Sequence, residues 1–449
     1  MRNEKVMEQG SFGQLVVRLS LPAMIVIVVM ILYNLADTFF IGQTGDPNKI
    51  SAISICMPVF TILSGIGTLF GVGGGTTVSI ALGEKDYGRI RAVSTFCSTS
   101  ALVIGIVYGA AVFAFAQPLC RMLGAEEAFL ADAMIYLRVF ALSSPFVMFS
   151  QAYGNILRSD GEAATSMMAN LSGTFLNIVL DGLFVLVFQW DVFGAALATV
   201  LGNVMSFVLV IWILKCKKPQ FLPEFRKVKA SKNIVLPVLT LGLPMTFSTV
   251  LSSVSSTVQN RLMVAHGSTY LAAQSVAGKM GLIVTMLILG FCMGMQPAIS
   301  YNYGSKSYRR MYEIVRKMAM VCVLVGALLA GVIIVFRRAM VGAFIQDESV
   351  IAYGEFFVIA SVCVGPIYAV YQTCQTFLQA TGKAGYAIVV SLLDKGLVFL
   401  PVLMVMNRLF GANGIAFSHA VTMIVSVVIA LLMAGQWTKA LKEEEGELE

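Results

Sequence analysis

Residues 14–41, QLVVRLSLPAMIVIVVMILYNLADTFFI, make an apolar run with Pro22 near its start and a carboxylate, Asp37, near its end. About 20 apolar residues suffice for a helix to cross a hydrocarbon core roughly 30 Å thick, so this run reads as a membrane span that keeps one acid inside it. Eleven further runs of the same kind follow, at 51–82, 92–116, 129–156, 163–188, 192–215, 234–264, 269–300, 312–336, 350–379, 384–406 and 411–436. Composition agrees. With 58% hydrophobic and 12% charged residues and a mean hydropathy of +0.84, a chain of 449 residues has too little polar surface for a water-soluble protein. The expectation is an all-α polytopic membrane protein with twelve transmembrane helices in two six-helix bundles.

An internal repeat supports the two bundles. Leu21 and Pro22 return as Leu243 and Pro244, 222 positions on, and Gly83 returns as Gly304 at 221. LRSDG at 157–161 returns as LQATG at 378–382, again at 221, and Gly194 returns as Gly414 at 220. A constant period in a membrane chain signals a duplicated bundle. Positive charge gives an independent test, because Lys and Arg are retained on the cytoplasmic side. With both termini inside, 21 of the 31 basic residues fall in inside segments, five in outside loops and five within spans. Each half then has an even number of crossings, so the repeats share one orientation. The organisation expected is an N-terminal lobe at 1–215, a basic cytoplasmic linker at 216–233, a C-terminal lobe at 234–436 and an acidic cytoplasmic tail at 437–449, whose last seven residues, 443–449, read as a disordered, solvated end.

Other classes find little support. No cleavable export signal precedes the first span, which is too long for a signal h-region. The eight cysteines are scattered, with no CxxC and no metal-like His spacing, and read as apolar fillers. The net charge of +7 concentrates in inside loops, which suits anionic lipid headgroups rather than nucleic acid. Gly65, Gly67, Gly71, Gly73, Gly74 and Gly75 in the second span read as close helix packing rather than a phosphate loop, since no Lys-Ser/Thr follows. Glu355 reads as interfacially solvated, Arg138, Arg261 and Lys279 as snorkelling or locally paired, and His266 and His419 as isolated. There is no nucleophile set or nucleotide loop, so no enzyme is expected, and no cofactor.

The buried acids are the informative residues, because a carboxylate inside a span costs of order 2.5–3.5 kcal/mol on insertion scales. Asp37 in the first span and Asp181 in the fifth fall at similar depth in spans that run the same way, so the two can meet. Asn177 stands four residues before Asp181, and Tyr33 four before Asp37, each on the face of its acid; Asn34 is adjacent, and Thr199 in the sixth span adds a hydroxyl. Oxygen donors without His or Cys suit a small alkali cation, and two carboxylates in a dry cavity equally suit a proton. The plainer alternative is hydrogen bonding between helices. The adjacent Asp394 and Lys395 in the eleventh span read as a self-neutralising pair, with a second ionisable element as the alternative. Phe (29) and Met (25) are abundant and give walls that adapt to varied apolar cations, although ordinary packing accounts for most of them.

LSLPAMIVIVVMILYNLADTFFIGQTGD at 19–46, the LRSDG turn, LNIVLDGLF at 176–184 and QPAISYNYGSKSYRR at 296–310 resemble the multidrug and toxic-compound extrusion (MATE) family across essentially the whole chain, from about residue 10 to 436. The resemblance implies two six-helix lobes around a central cleft, with alternating access coupling inward Na+ or H+ flow to export of amphipathic, often cationic drugs. It implies a cation site of Asp37, Asn177, Asp181 and Thr199 in the N-terminal lobe, which would also be the metal ligands if the ion is Na+. Pro22 would be the bending point of the first helix, with Tyr33 near the cavity beside Asn34. Some relatives use acids in the C-terminal lobe; here Asp37 maps to Gln259 and Asp181 to Pro401, so that arrangement is absent. The family pattern would also put a cationic residue where Asp394 and Lys395 stand. A cell-membrane monomer whose partners are drugs and lipids is expected. The alternative is a lipid-linked oligosaccharide flippase of the same superfamily, which would need a cationic cavity for pyrophosphate.

Overall fold

The structure is a computed structural model that describes residues 2–30, 47–217, 231–344 and 348–446. Among these residues all regular structure is helical, as a bilayer demands of a bundle whose backbone groups must pair within each segment. In chain order the helices are α1 (Arg2–Gln9), α2 (Phe12–Met30), α3 (Pro47–Gly83), α4 (Tyr87–Ala114), α5 (Ala116–Leu123), α6 (Leu130–Ala141), α7 (Ser144–Ser159), α8 (Ala163–Asp181) and α9 (Asp191–Lys217). They continue as α10 (Lys232–His266), α11 (Ser268–Gly304), α12 (Tyr308–Val335), α13 (Arg337–Phe344), α14 (Glu348–Val362), α15 (Gly365–Ala380), α16 (Ala384–Leu392) and α17 (Phe399–Gly446).

Ten of the described helical runs are long and apolar enough to cross a membrane, and α6 with α7, bent by 51° at their junction, adds an eleventh. The last run, Ala384–Glu443, is divided at Gly411, whose φ of 58° and ψ of −138° no helix accommodates, which brings the spans to the twelve expected. The repeat is visible in backbone detail. Lys85 and Lys306 both turn to positive φ, at 61° and 57°, and Gly161 and Gly382 do so at 78° and 77°. Pro145 near the start of α7 and Pro366 near the start of α15 mark corresponding breaks, because a proline ring is tolerated in a first helical turn and nowhere later without a kink.

Contacts part the chain into two compact units, Met1–Gln9 with Val17–Gly242 and Gly10–Val16 with Leu243–Glu449. Lipid tails are as apolar as leucine, so helices in a bilayer associate through close packing rather than hydrophobic exclusion. The glycine face of α3 shows this. A Cβ added at Gly71 would sit 2.9 Å from the Gln151 carbonyl, at Gly74 2.6 Å from Cys97 Sγ, and at Gly75 2.8 Å from Ser159 Oγ. The reading of these glycines as packing residues holds. Six of the eight cysteines are buried and all eight are free thiols, as fillers should be.

Three local expectations change. As far as the tail is described it is helical rather than disordered: α17 continues to Gly446, because Trp437 and Leu441 are buried at 5% and 0% exposure. Trp437 donates from Nε1 to Thr381 Oγ1 at 2.9 Å, and Lys383 Nζ lies 3.7 Å from its ring centroid. Replacing Trp437 with Ala should fray this last segment and raise the rate of tryptic cleavage after Lys439 and Lys442 several-fold; unchanged cleavage would leave Leu441 as the sole anchor. Glu355 is ion-paired rather than merely solvated, with Arg337 at 3.2 Å and Arg338 at 3.7 Å. His266 is not isolated, since its Nε2 is 2.7 Å from Asn407 Oδ1. Arg138 does settle locally, its guanidinium 5.8 Å from the Phe113 ring centroid.

Candidate functional site

In the N-terminal unit the buried residues of α8 repeat at helical spacing, Ser166, Ala169, Gly173, Asn177 and Asp181, and Ala169, Gly173 and Asn177 among them meet α9. The small members set the distance between the helices. A Cβ on Gly173 would stand 2.5 Å from the Gly202 carbonyl, and one on Gly202 would stand 2.7 Å from the Gly173 carbonyl and 2.8 Å from Asn177 Cβ. Ser206 Oγ donates to the Ala169 carbonyl at 3.2 Å, pinning the same crossing. One turn further along this seam, Asn177 Nδ2 donates to Thr199 Oγ1 at 3.4 Å, while Thr199 itself donates to the Ala195 carbonyl at 3.0 Å.

Asn177 is 3% exposed and Asp181 1%. The carbonyl oxygen of Asn177 accepts no hydrogen bond, a cost the interior rarely leaves unmet. Asp181 closes α8, and the helix continues as the π-helical turn Gly182–Val187, an irregularity common at functional positions. The structure therefore brings Asn177 and Thr199 into contact across α8 and α9, with the buried Asp181 one helical turn beyond Asn177 on α8, all three carrying hard oxygen donors. Asp37, Tyr33 and Asn34 lie outside the described residues. Pro22 is buried, and the π-helical turn Val16–Ser20 ends two residues before it; a proline has no N–H to complete the regular ladder there. Among the described residues no cluster of three His, Cys, Asp or Glu side chains gathers to hold a metal.

The C-terminal unit holds a polar cavity that hydropathy did not reveal. Ser252, Ser256, Thr285, Gln372, Gln375 and His419 line a space of about 490 Å³ together with Asp394 and Lys395. Asp394 is 1% exposed, and Lys395 Nζ lies 2.8 Å from its Oδ2, which agrees with the reading of a self-neutralising pair. Both residues sit in the π-helical turn Leu393–Leu397. Such a turn displaces a backbone carbonyl from its regular partner, and Ser255 Oγ donates to the Lys395 carbonyl. The overlooked signal is a polar stripe at Ser248, Ser252, Ser255 and Gln259 in the seventh span, spaced for one helical face.

The MatE family description matches this chain twice, over residues 22–183 and 244–405, windows set apart by the internal period. Multidrug export protein MepA of Staphylococcus saprophyticus is 30% identical over all of this chain and 99% of its own length, and MepA of Staphylococcus aureus strain NCTC 8325 is 28% identical over the same shares. The fold superimposes on a crystal structure of MATE in the bent conformation with a TM-score of 0.93 at 20% identity, covering 99% of both chains. An outward-facing multidrug resistance MATE transporter of the MOP superfamily gives 0.91 at 21% identity, again over 99% of both. Paired family matches over most of the chain, a full-length relative and a twelve-span fold place this multi-pass membrane protein in the MatE family of transporters, which are not enzymes.

Proposed function

We propose that the chain is a secondary active multidrug exporter of the cell membrane that exchanges amphipathic, often cationic compounds for Na+ or H+ by alternating access, as a monomer with both termini in the cytoplasm. The observation that carries this reading is the buried seam of Asp181, Asn177 and Thr199, with Asn177 3.4 Å from Thr199 and its own carbonyl oxygen left without a donor. A small cation entering beside Asp181 would meet a carboxylate, an amide oxygen and a hydroxyl, the hard donors that replace a hydration shell. A proton on the carboxylate would remove the same cost of a buried charge. Relatives named for multidrug export supply the cargo class.

Coupling follows from linkage. A cation that loads the seam and lowers drug affinity must itself be weakened by drug to the same degree. Exchange of one H+ for one monovalent drug moves no net charge and draws about 1.36 kcal/mol per pH unit, whereas a second cation adds about 2.3 kcal/mol per 100 mV. The flippase alternative needs a cationic cavity for pyrophosphate. In the C-terminal unit Lys395 is held by Asp394 instead, which favours a drug.

The test is drug flux in proteoliposomes with Na+ and H+ gradients imposed separately. Export driven by one of them identifies the ion; no export under either rejects the proposal. Thr199→Ala should slow ion-driven export several-fold at limiting cation while Thr199→Ser retains it, and equal rates in the two would remove the hydroxyl from the site.

A further inference from the structure

Asp394 and Lys395 are sequence neighbours, and neighbours on a regular helix point away from each other. Here they pair inside a π-helical turn. The pairing is incomplete: Lys395 Nζ stands 2.8 Å from Oδ2, yet neither carboxylate oxygen accepts a hydrogen bond of acceptable geometry. A carboxylate with two oxygens has capacity for several donors, and this one is 1% exposed against a space of about 490 Å³, within the range that holds drug-sized molecules. Its depth is suitable. Asp394 comes about ten residues into the helical run that starts at Ala384, roughly 15 Å along the axis and so near the bilayer midplane.

The surroundings suit an organic cation better than a metal ion. Tyr368 and Tyr371 line the cavity with ring centroids 6.0 Å apart, and Phe399 borders the adjoining pocket that shares Asp394, Lys395 and His419. Aromatic faces attract a bulky cation through their quadrupoles. The Lys395 side chain keeps 26% exposure, so its flexible stem has room to swing, and Ser252, Ser256 and Gln259 offer oxygens to receive its ammonium.

We propose that Asp394 is a docking carboxylate for the positive group of an organic cation in the C-terminal unit, and that Lys395 is a tethered stand-in which occupies that carboxylate until the cation displaces it. This rests on the exporter reading above and adds a substrate subsite to it. A lysine that competes from an adjacent position lowers apparent affinity by the fraction of time it holds the carboxylate. It also keeps a buried charge from standing alone, which would be strongly destabilising.

The experiment is equilibrium binding of tetraphenylphosphonium to the purified full chain, with uncharged triphenylphosphine oxide as the control probe. Asp394→Asn should weaken binding of the cation by on the order of tenfold, and Lys395→Gln should tighten it by about as much, as expected when a competitor that occupies the site nine-tenths of the time is removed. Lys395→Arg, which keeps the charge and can grip a carboxylate with two parallel donors, should weaken it and remains informative if the Gln variant does not fold. The uncharged probe should not respond to any of these changes. Parallel losses in Asp394→Asn and Lys395→Gln would mark the pair as purely structural and overturn the proposal, as would constant affinity across the set. Those results with gradient-driven export intact would sink only this subsite, whereas absence of export by the unsubstituted protein would sink the exporter reading itself.

Discussion

Proteoliposomes carrying Asp181→Asn should export drug no faster than protein-free vesicles under either cation gradient, with the purified protein still monodisperse and helical. The substitution is nearly isosteric, so packing along the α8 seam is preserved, and an amide needs no counter-ion in a site 1% exposed. What disappears is the charge whose burial makes cation or proton loading favourable. Asp37→Asn should behave alike if that carboxylate shares the load. Full export by both variants would remove these acids from the coupling mechanism, and the N-terminal cation site with them.

Gly202→Ala should have the second largest effect, although it adds only a single uncharged methyl group. That carbon would stand 2.7 Å from the Gly173 carbonyl and 2.8 Å from Asn177 Cβ. Neither contact is with the free end of a flexible side chain, so α8 and α9 must separate. Overpacking of this kind costs typically 1–3 kcal/mol, and the displacement carries Asn177 away from Thr199. Lower thermal stability in detergent should therefore accompany loss of cation-driven export. Gly331→Ala is the matched control, since nothing lies within 4 Å of its would-be Cβ; helix propensity alone should leave that variant unchanged or slightly more stable, by roughly 0.5–1 kcal/mol. Equal thermal behaviour of the two variants would show that the glycine crossing does not set the geometry of the site.

Much of the architecture was readable before any coordinates, for a physical reason. Hydropathy over a window of about 20 residues is a local property, and so is the turn chemistry that makes Gly161 and Gly382 recur with the same positive φ. The tail shows the limit: EEEGELE at 443–449 has the composition of a solvated end, yet burial of Trp437 and Leu441 keeps the chain helical to Gly446. The seam at Asn177 was legible in part, because four-residue spacing puts an amide and an acid on one face. Its partner Thr199 lies on another helix, and a hydroxyl in an apolar span has no one-dimensional signature that separates a ligand from interhelical glue.

The sequence by itself determined the membrane class, the twelve spans, the duplication and which acids had to be accommodated away from water, since each of these follows from composition and periodicity along one strand of chain. Only the tertiary structure decided that Gly173 and Gly202 let two helices approach closely enough for Asn177 to reach Thr199, and that two adjacent charges share one cavity in the C-terminal unit. Contacts of that kind depend on shape at a crossing and on a local change of helical winding, both of which arise when neighbouring helices pack together.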